Sequence, residues 1–590
     1  MSKYSQNWDL ESVYPGGSSS EELLEQVRKV KVGIETLHAY IKALSPDLKA
    51  EQLITLVNKI QAVMANLGQP SAFVGCLTAQ DVQDQQARLL EGNLSQIKAR
   101  LSVVLTEVDQ LLVAVSPERW VRLLEDPHLR DLSFPLREWR LTAQTKMPAP
   151  KEALAADLAV DGYHAWSRLY NTVVGRMKVK IERRGKIREL SVGQAANLLS
   201  EPDRNLRRLA FHKLEQAWAQ EGELCASALN HIAGFRLNLY RNRGWDDVLS
   251  EPLRLNRMQR ETLDAMWSAV EGSLDHLKKY LKRKAQLLGL EKLSWYDLEA
   301  PLGEAAKGIS YDQAADFILE QLGRFSPEIA NFTKNALEKN WIEAEDRAGK
   351  RPGAFCTSFP LSKESRVFMT YAGTIQSLGT LAHELGHAYH GYVLKDAPFL
   401  LRRYAMNVAE TASTFSELLV VDGALQEASP QEKVGILEDK IQRDVAFFMN
   451  IKARFLFETR FYRARREGLI GVEQLNDLML RAQEDAYGRA LAEYHPHFWA
   501  SKLHFYLSSV PFYNFPYTFG YLFSSGVYAR AKAEGPGFAS SYRRLLADTA
   551  KMNVEDLARK HLGADLTQPE FWEAAVQLSR DDVDQFLAIT

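Results

Sequence analysis

Apolar residues recur every three to four positions over most of this chain, which is the spacing of one face of an α-helix. The stretches at about 21–45, 49–66, 80–116 and 151–170 carry it most clearly, with charged positions on the opposite, solvated face. Ser19 and Glu22, after the break at Pro15-Gly16-Gly17, have capping-box spacing and predict a helix start. From about 200 to 350 the helical period returns, with Gly303 and Gly308 marking a loop after Trp295-Tyr296. Two stretches break the period. Met177 to Leu190 alternates apolar and charged residues around Gly185 and predicts a β-hairpin. Arg366-Val367-Phe368-Met369-Thr370-Tyr371 alternates enough to predict a strand. The expectation is a mostly α fold. An N-terminal helical region spans 1–200, with a hairpin near 177–190, and a second domain spans 201–590. The most linker-like stretch, Glu345 to Gly353, is brief.

Composition narrows the class. A chain of 590 residues can bury a large core or several subdomains, and 46% apolar with 25% charged residues is ordinary for a soluble enzyme. A net charge of −2 gives no sign of a nucleic-acid partner or of an anionic membrane surface. There is no run of 18 apolar residues to span a bilayer. Met1 to Trp8 contains no apolar core of a secretory signal, and Cys76, Cys225 and Cys356 are far apart, so reduced thiols in a cytoplasm are expected.

The candidate chemistry centres on His383-Glu384-Leu385-Gly386-His387. Leu378, Leu381, Ala382, Leu385, Tyr389 and Tyr392 recur at helical spacing, so residues 376–392 read as a buried helix. Two histidines four apart share a face and can hold one metal ion, most often zinc, while Glu384 between them can activate water. Buried imidazoles also need a polar partner, which a metal supplies. A third ligand is then required. A metzincin would place glycine three and histidine six residues after His387; here these are His390 and Val393. A thermolysin-like spacing would place glutamate where Met406 and Asn407 stand. The next candidate is Glu410, on a second amphipathic stretch whose apolar stripe is Val408, Ala412, Phe415 and Leu419. Glu410, Ser413 and Glu417 share one face of that helix, so Glu410 is placed to reach the metal and Glu417 to hold a ligand imidazole. Cys356 fits the third position less well than Glu410.

The segments His383-Glu-Leu-Gly-His-Ala-Tyr-His390 and Ala409-Glu-Thr-Ala-Ser-Thr-Phe-Ser-Glu417 together resemble the thimet-oligopeptidase family, in particular its oligoendopeptidase F branch. The resemblance covers residues 200–590 well and extends loosely to Trp8-Asp9-Leu10. It implies that Glu410 opens an E-x-x-S-x-x-x-E helix as the third ligand of a single zinc ion. It implies that the strand at 366–371 borders the cleft and pairs with the extended substrate backbone. It also implies that a histidine and several tyrosines in the aromatic segment 504–521 face the zinc and donate to the tetrahedral intermediate. His504, Tyr513 and Tyr517 are the nearest matches, although His504 stands farther from the tyrosines than in the thimet-type branch; Tyr506 and Tyr521 stay open as alternatives. The implied fold is a large helical ellipsoid split by a deep substrate cleft, with a small β element beside the active site. The implied function is a zinc-dependent oligoendopeptidase that hydrolyses internal bonds of short unfolded peptides, with Glu384 as general base. Two alternatives remain at this point: a zinc carboxypeptidase on a related scaffold, and a non-catalytic helical protein with a structural zinc. The last needs a fourth ligand, and the only obvious local one, His390, points about 60° away from His387 by helical arithmetic.

Overall fold

Helices carry most of the chain in the computed structural model, which describes residues 2–183, 185–302 and 308–590. Gly303, expected in a loop, and Arg184 of the hairpin lie outside the described residues. Among the described residues the strands are few and short. β1 (Val179–Arg183) and β2 (Lys186–Leu190) form the expected antiparallel hairpin, with Arg183 opposite Lys186 and Gly185 at φ +72° in the turn. β3 (Ile342–Glu343), β4 (Phe355–Phe359) and β5 (Glu364–Phe368) form a second sheet in the order β3-β5-β4, with β4 on the edge. The strand expected at 366–371 is β5; beyond its end the Met369 and Tyr371 amides still donate to the Glu343 and Ala344 carbonyls, both at 2.8 Å. No described helix is long and apolar enough to cross a membrane.

The chain divides into two compact units, each gathered from three segments. The first takes Met1–Lys146, Ala306–Gln426 and Val527–Ala564; the second takes Met147–Ala305, Glu427–Gly526 and Asp565–Thr590. Position 200 falls within the first segment of the second unit.

In the first unit, α1 (Glu21–Lys42), α2 (Ala50–Gln80) and α3 (Gln85–Ala114) bury Val30, Ile34, Leu53, Ile60, Leu94 and Ile97 in one apolar core. The helix cap is Ser20 rather than Ser19, with the Leu23 amide donating to its Oγ at 3.3 Å. A 3-10 turn over Gly17–Ser19 takes up Ser19 and moves the cap on by one. α2 outruns the expected end at 66 and continues through Pro70. Proline has no N–H for the carbonyl four residues back. That carbonyl, of Asn66, accepts from Gln26 Nε2 at 3.2 Å instead, so the helix continues.

Two later helices of this unit matter most. The first, Ile375–Leu394, starts at a capping box in which Thr374 and Ser377 exchange hydrogen bonds at 2.9 and 3.1 Å. The second is Glu410–Glu427. Both are backed by the segment beyond residue 526. The Phe415 ring stacks on Tyr542 at 4.2 Å, and His390 Nε2 lies 3.0 Å from Thr549 Oγ1. In the second unit, helix Gly222–Arg243 and helix Ile451–Arg465 support the aromatic segment, which continues into helix Phe515–Glu534.

Candidate active site

Gly386 sets how the two later helices of the first unit meet. A Cβ there would lie 2.4 Å from the Ala412 carbonyl oxygen and 2.6 Å from Ser413 Cα, so the backbones touch at a point where no side chain fits. This approach delivers Glu410, at the first turn of its helix, to the two histidines. Glu410 Oε2 lies 3.2 Å from His383 Nε2 and 3.5 Å from His387 Nε2. Ser413 Oγ donates to the same Oε2 at 2.9 Å, which explains the serine in the E-x-x-S pattern. One ligand atom from each of the three residues lies within 4.8 Å of the others. Two imidazole nitrogens and a carboxylate oxygen, converging at a partly exposed position, suit a zinc ion with a position left open. Burial opposes charge on His383 and Glu410, but their mutual contacts win. Glu410 and Glu417 raise the His383 imidazolium to about 10, and His383 and His387 hold the Glu410 carboxyl far below the usual carboxylate range.

Glu384 is separate from this set. It is 6% exposed, its Oε2 has no hydrogen-bond partner, and burial raises its carboxyl while the two histidines pull it back. The thiol of Cys356, on β4, is raised by burial and by Glu384, and Cys356 is not among the residues that converge on the metal position. His390 is fully buried, stacked on Tyr404 at 4.2 Å and bonded to Thr549, and burial lowers its imidazole to about 3. It is therefore occupied away from the metal position.

His383 Nδ1 lies 3.1 Å from Glu417 Oε2. A carboxylate can only accept, so Nδ1 is the donor in this contact and Nε2 is the nitrogen turned toward Glu410 and a metal. Glu417→Ala is expected to weaken metal affinity about 10–100-fold without removing a ligand. Competition with a chelator measures this, and an unchanged constant would show that Glu417 does not tune His383.

The structure gathers His504, Tyr513 and Tyr517 in the second unit. Their ring centroids are 5.6 Å (His504–Tyr513), 6.1 Å (His504–Tyr517) and 5.6 Å (Tyr513–Tyr517) apart. All three are partly exposed, while Phe505, Tyr506, Phe512, Phe515 and Phe519 around them are buried. Burial, with Arg454 and Lys502 nearby, lowers the His504 imidazole to about 4, so it is neutral at physiological pH. The two alternative tyrosines are committed elsewhere. Tyr506 is fully buried with its ring stacked on Tyr170 at 3.6 Å. Tyr521 donates to Asp444 Oδ1 at 2.7 Å and stacks on Phe447 at 4.5 Å. Sequence reasoning missed Gly386 as a contact point, and it missed Arg454 and Glu458, which lie beneath the aromatic segment. Their only signal was two charges four apart within an otherwise apolar helix face.

Comparison with known proteins agrees with this fold. Residues 197–578 match the family described as Peptidase family M3, and residues 112–178 match Oligopeptidase F. The chain belongs to peptidase family M3, in its oligoendopeptidase F branch, and is a peptidase. Oligopeptidase PepF of Bacillus subtilis is 24% identical over 99% of this chain and 87% of its own length. An oligoendopeptidase F homolog of Lactococcus lactis is 23% identical over 97% of this chain and 95% of its own. Two solved structures share the fold. One, from Chlamydophila abortus, has a TM-score of 0.83 at 20% identity, covering 99% of this chain and 98% of that one. The other, the oligoendopeptidase-F of Enterococcus faecium, has a TM-score of 0.72 at 20% identity, covering 96% and 99%.

Proposed function

We propose that this peptidase is a zinc-dependent oligoendopeptidase that hydrolyses internal bonds of short, unfolded peptides. The observation that carries the reading is the convergence of His383 Nε2, His387 Nε2 and Glu410 Oε2 beside a buried, partly unpartnered Glu384. A single zinc ion held by His383, His387 and Glu410 would polarise the substrate carbonyl and acidify a water. Glu384 takes the proton of the attacking water and returns it to the leaving amine; its raised carboxyl is matched to both halves of that task. His504, Tyr513 and Tyr517 are the donors that stabilise negative charge on the carbonyl oxygen as the tetrahedral intermediate forms. The Tyr506 and Tyr521 commitments favour these three. His390, closed off by Tyr404 and Thr549, is not a fourth ligand, which supports an open catalytic position over a closed structural one. The free thiols Cys76, Cys225 and Cys356 support a cytoplasmic setting.

The test is product analysis. Mass spectra of a short peptide digested by the zinc-loaded protein should show internal cuts, whereas stepwise loss of C-terminal residues would replace the reading with a carboxypeptidase. Glu410→Ala should lower zinc per chain at least about tenfold, because one of only three protein ligands is gone. Unchanged metal content by elemental analysis would take Glu410 out of the ligand set.

A further inference from the structure

Helix Ile451–Arg465 presents Arg454, Glu458 and Tyr462, four residues apart and so on one stripe, to the loop that carries Tyr513. Each holds a different part of that loop. Arg454 Nη1 donates to Asn514 Oδ1 at 3.2 Å. The Phe512 amide donates to Glu458 Oε1 at 3.2 Å. The Tyr462 ring stacks on Phe512 at 5.3 Å, and its hydroxyl accepts from Arg236 Nη1 at 2.5 Å. Arg236 also donates to the Leu507 carbonyl at 3.1 Å, which pins the loop upstream.

The Phe512 backbone explains why so much is invested here. Its φ is +50°, in the left-handed region that a bulky aromatic residue rarely adopts. Such a conformation persists only where its surroundings over-determine it. Phe512 immediately precedes Tyr513, so the sign of this φ decides where the Tyr513 side chain leaves the backbone. Asn514 then starts the turn that leads to Tyr517, whose amide donates to the Asn514 carbonyl at 3.1 Å. Glu458 is 4% exposed and Phe512 is 1% exposed, so no water competes for the amide. Burial raises the Glu458 carboxyl to about 8, with Arg236, the Phe512 amide and Asn514 pulling it back; a group this costly to bury calls for a local task.

We propose that Glu458 is a positioning residue for peptide hydrolysis: by accepting the Phe512 amide it holds that residue at positive φ and so aims Tyr513. The inference rests on the reading of Tyr513 and Tyr517 as oxyanion donors. In the full-length, zinc-loaded protein, Glu458→Leu fills the volume but cannot accept, and is expected to lower kcat about 30–100-fold with KM changed less than about threefold, the signature of misplaced transition-state groups. Glu458→Gln keeps the acceptor and should stay within about threefold of wild type. In a Tyr513→Phe background, Glu458→Leu should add less than about threefold further loss, because the two act through one group. Equal activity of Glu458→Gln and Glu458→Leu, or full additional loss in the double variant, would overturn the inference. If Glu458→Leu does not fold, Glu458→Asp decides, since it withdraws the acceptor by one methylene; a kcat within about twofold of wild type would overturn it. Wild-type kcat in both Tyr513→Phe and Tyr517→Phe would remove the reading of the tyrosines and this inference with it. Loss in Tyr513→Phe alongside a fully active Glu458→Leu would remove only the role of Glu458.

Discussion

Glu384→Gln is expected to keep its zinc and lose about 10²–10⁴-fold in kcat, the range that a positioned general base contributes. Glutamine has the same shape, and Glu384 is not among the residues that converge on the metal position, so the ligand set has no reason to loosen. Its Oε2 accepts no hydrogen bond in the fold, so little structure depends on the charge. What disappears is the ability to take a proton from water and give it to the leaving amine. Metal content by elemental analysis and kcat on a fluorogenic peptide are measured on the same preparation. Activity within a few-fold of wild type, with zinc present, would end the assignment of Glu384 as base.

Gly386→Ala should damage stability and metal affinity together. In an ordinary helix, alanine in place of glycine gains roughly 0.5–1 kcal/mol. Here the added Cβ meets only backbone, at 2.4 Å from Ala412 O, 2.6 Å from Ser413 Cα and 2.8 Å from Ala412 C, so no rotamer change relieves it. Overpacking of this kind typically costs about 1–3 kcal/mol, enough to outweigh the propensity gain. The helices must separate, and Glu410 moves with its helix away from Nε2 of His383 and His387. Thermal unfolding in chelator should show a lower Tm for the metal-free protein, and calorimetric titration with zinc should show a weaker Kd. A variant as stable as wild type with unchanged Kd would mean that the close approach does not set the ligand geometry.

The candidate ligand residues were readable because helical arithmetic places i and i+4 on one face, and because Glu410, Ser413 and Glu417 repeat that logic on the next helix. The hairpin was readable because alternation over Val179–Leu190 is a local property. What escaped notice depends on contacts between distant segments. Gly386 reads as a tolerated helix glycine until the Ala412 backbone is laid against it. The helical stretch expected to end at 66 runs on to Gln80 because Gln26, a side chain from α1, satisfies the orphaned Asn66 carbonyl. The Ser20 cap was missed by one residue because a single 3-10 turn shifts the register. Among the aromatics of 504–521, periodicity could not separate the partly exposed His504, Tyr513 and Tyr517 from Tyr506 and Tyr521. Burial against Tyr170 and a hydrogen bond to Asp444 separate them, and both partners lie far away in sequence. Glu458 carried only a weak local signal, its spacing from Arg454, since a buried carboxyl and a solvated one look alike on a helical wheel.

The backing of the ligand helices by Tyr542 and Thr549 bears on when hydrolytic competence appears during biosynthesis. Glu410 is polymerised on the order of ten seconds before Thr549 at about 5–20 residues per second. Through that interval Phe415 and His390, both buried in the finished protein, have no partners from the segment beyond residue 526. The ribosome-bound intermediate thus carries His383, His387 and Glu410 but lacks the scaffold that backs their helices. The packing that holds these three residues together is complete only once translation has passed that segment.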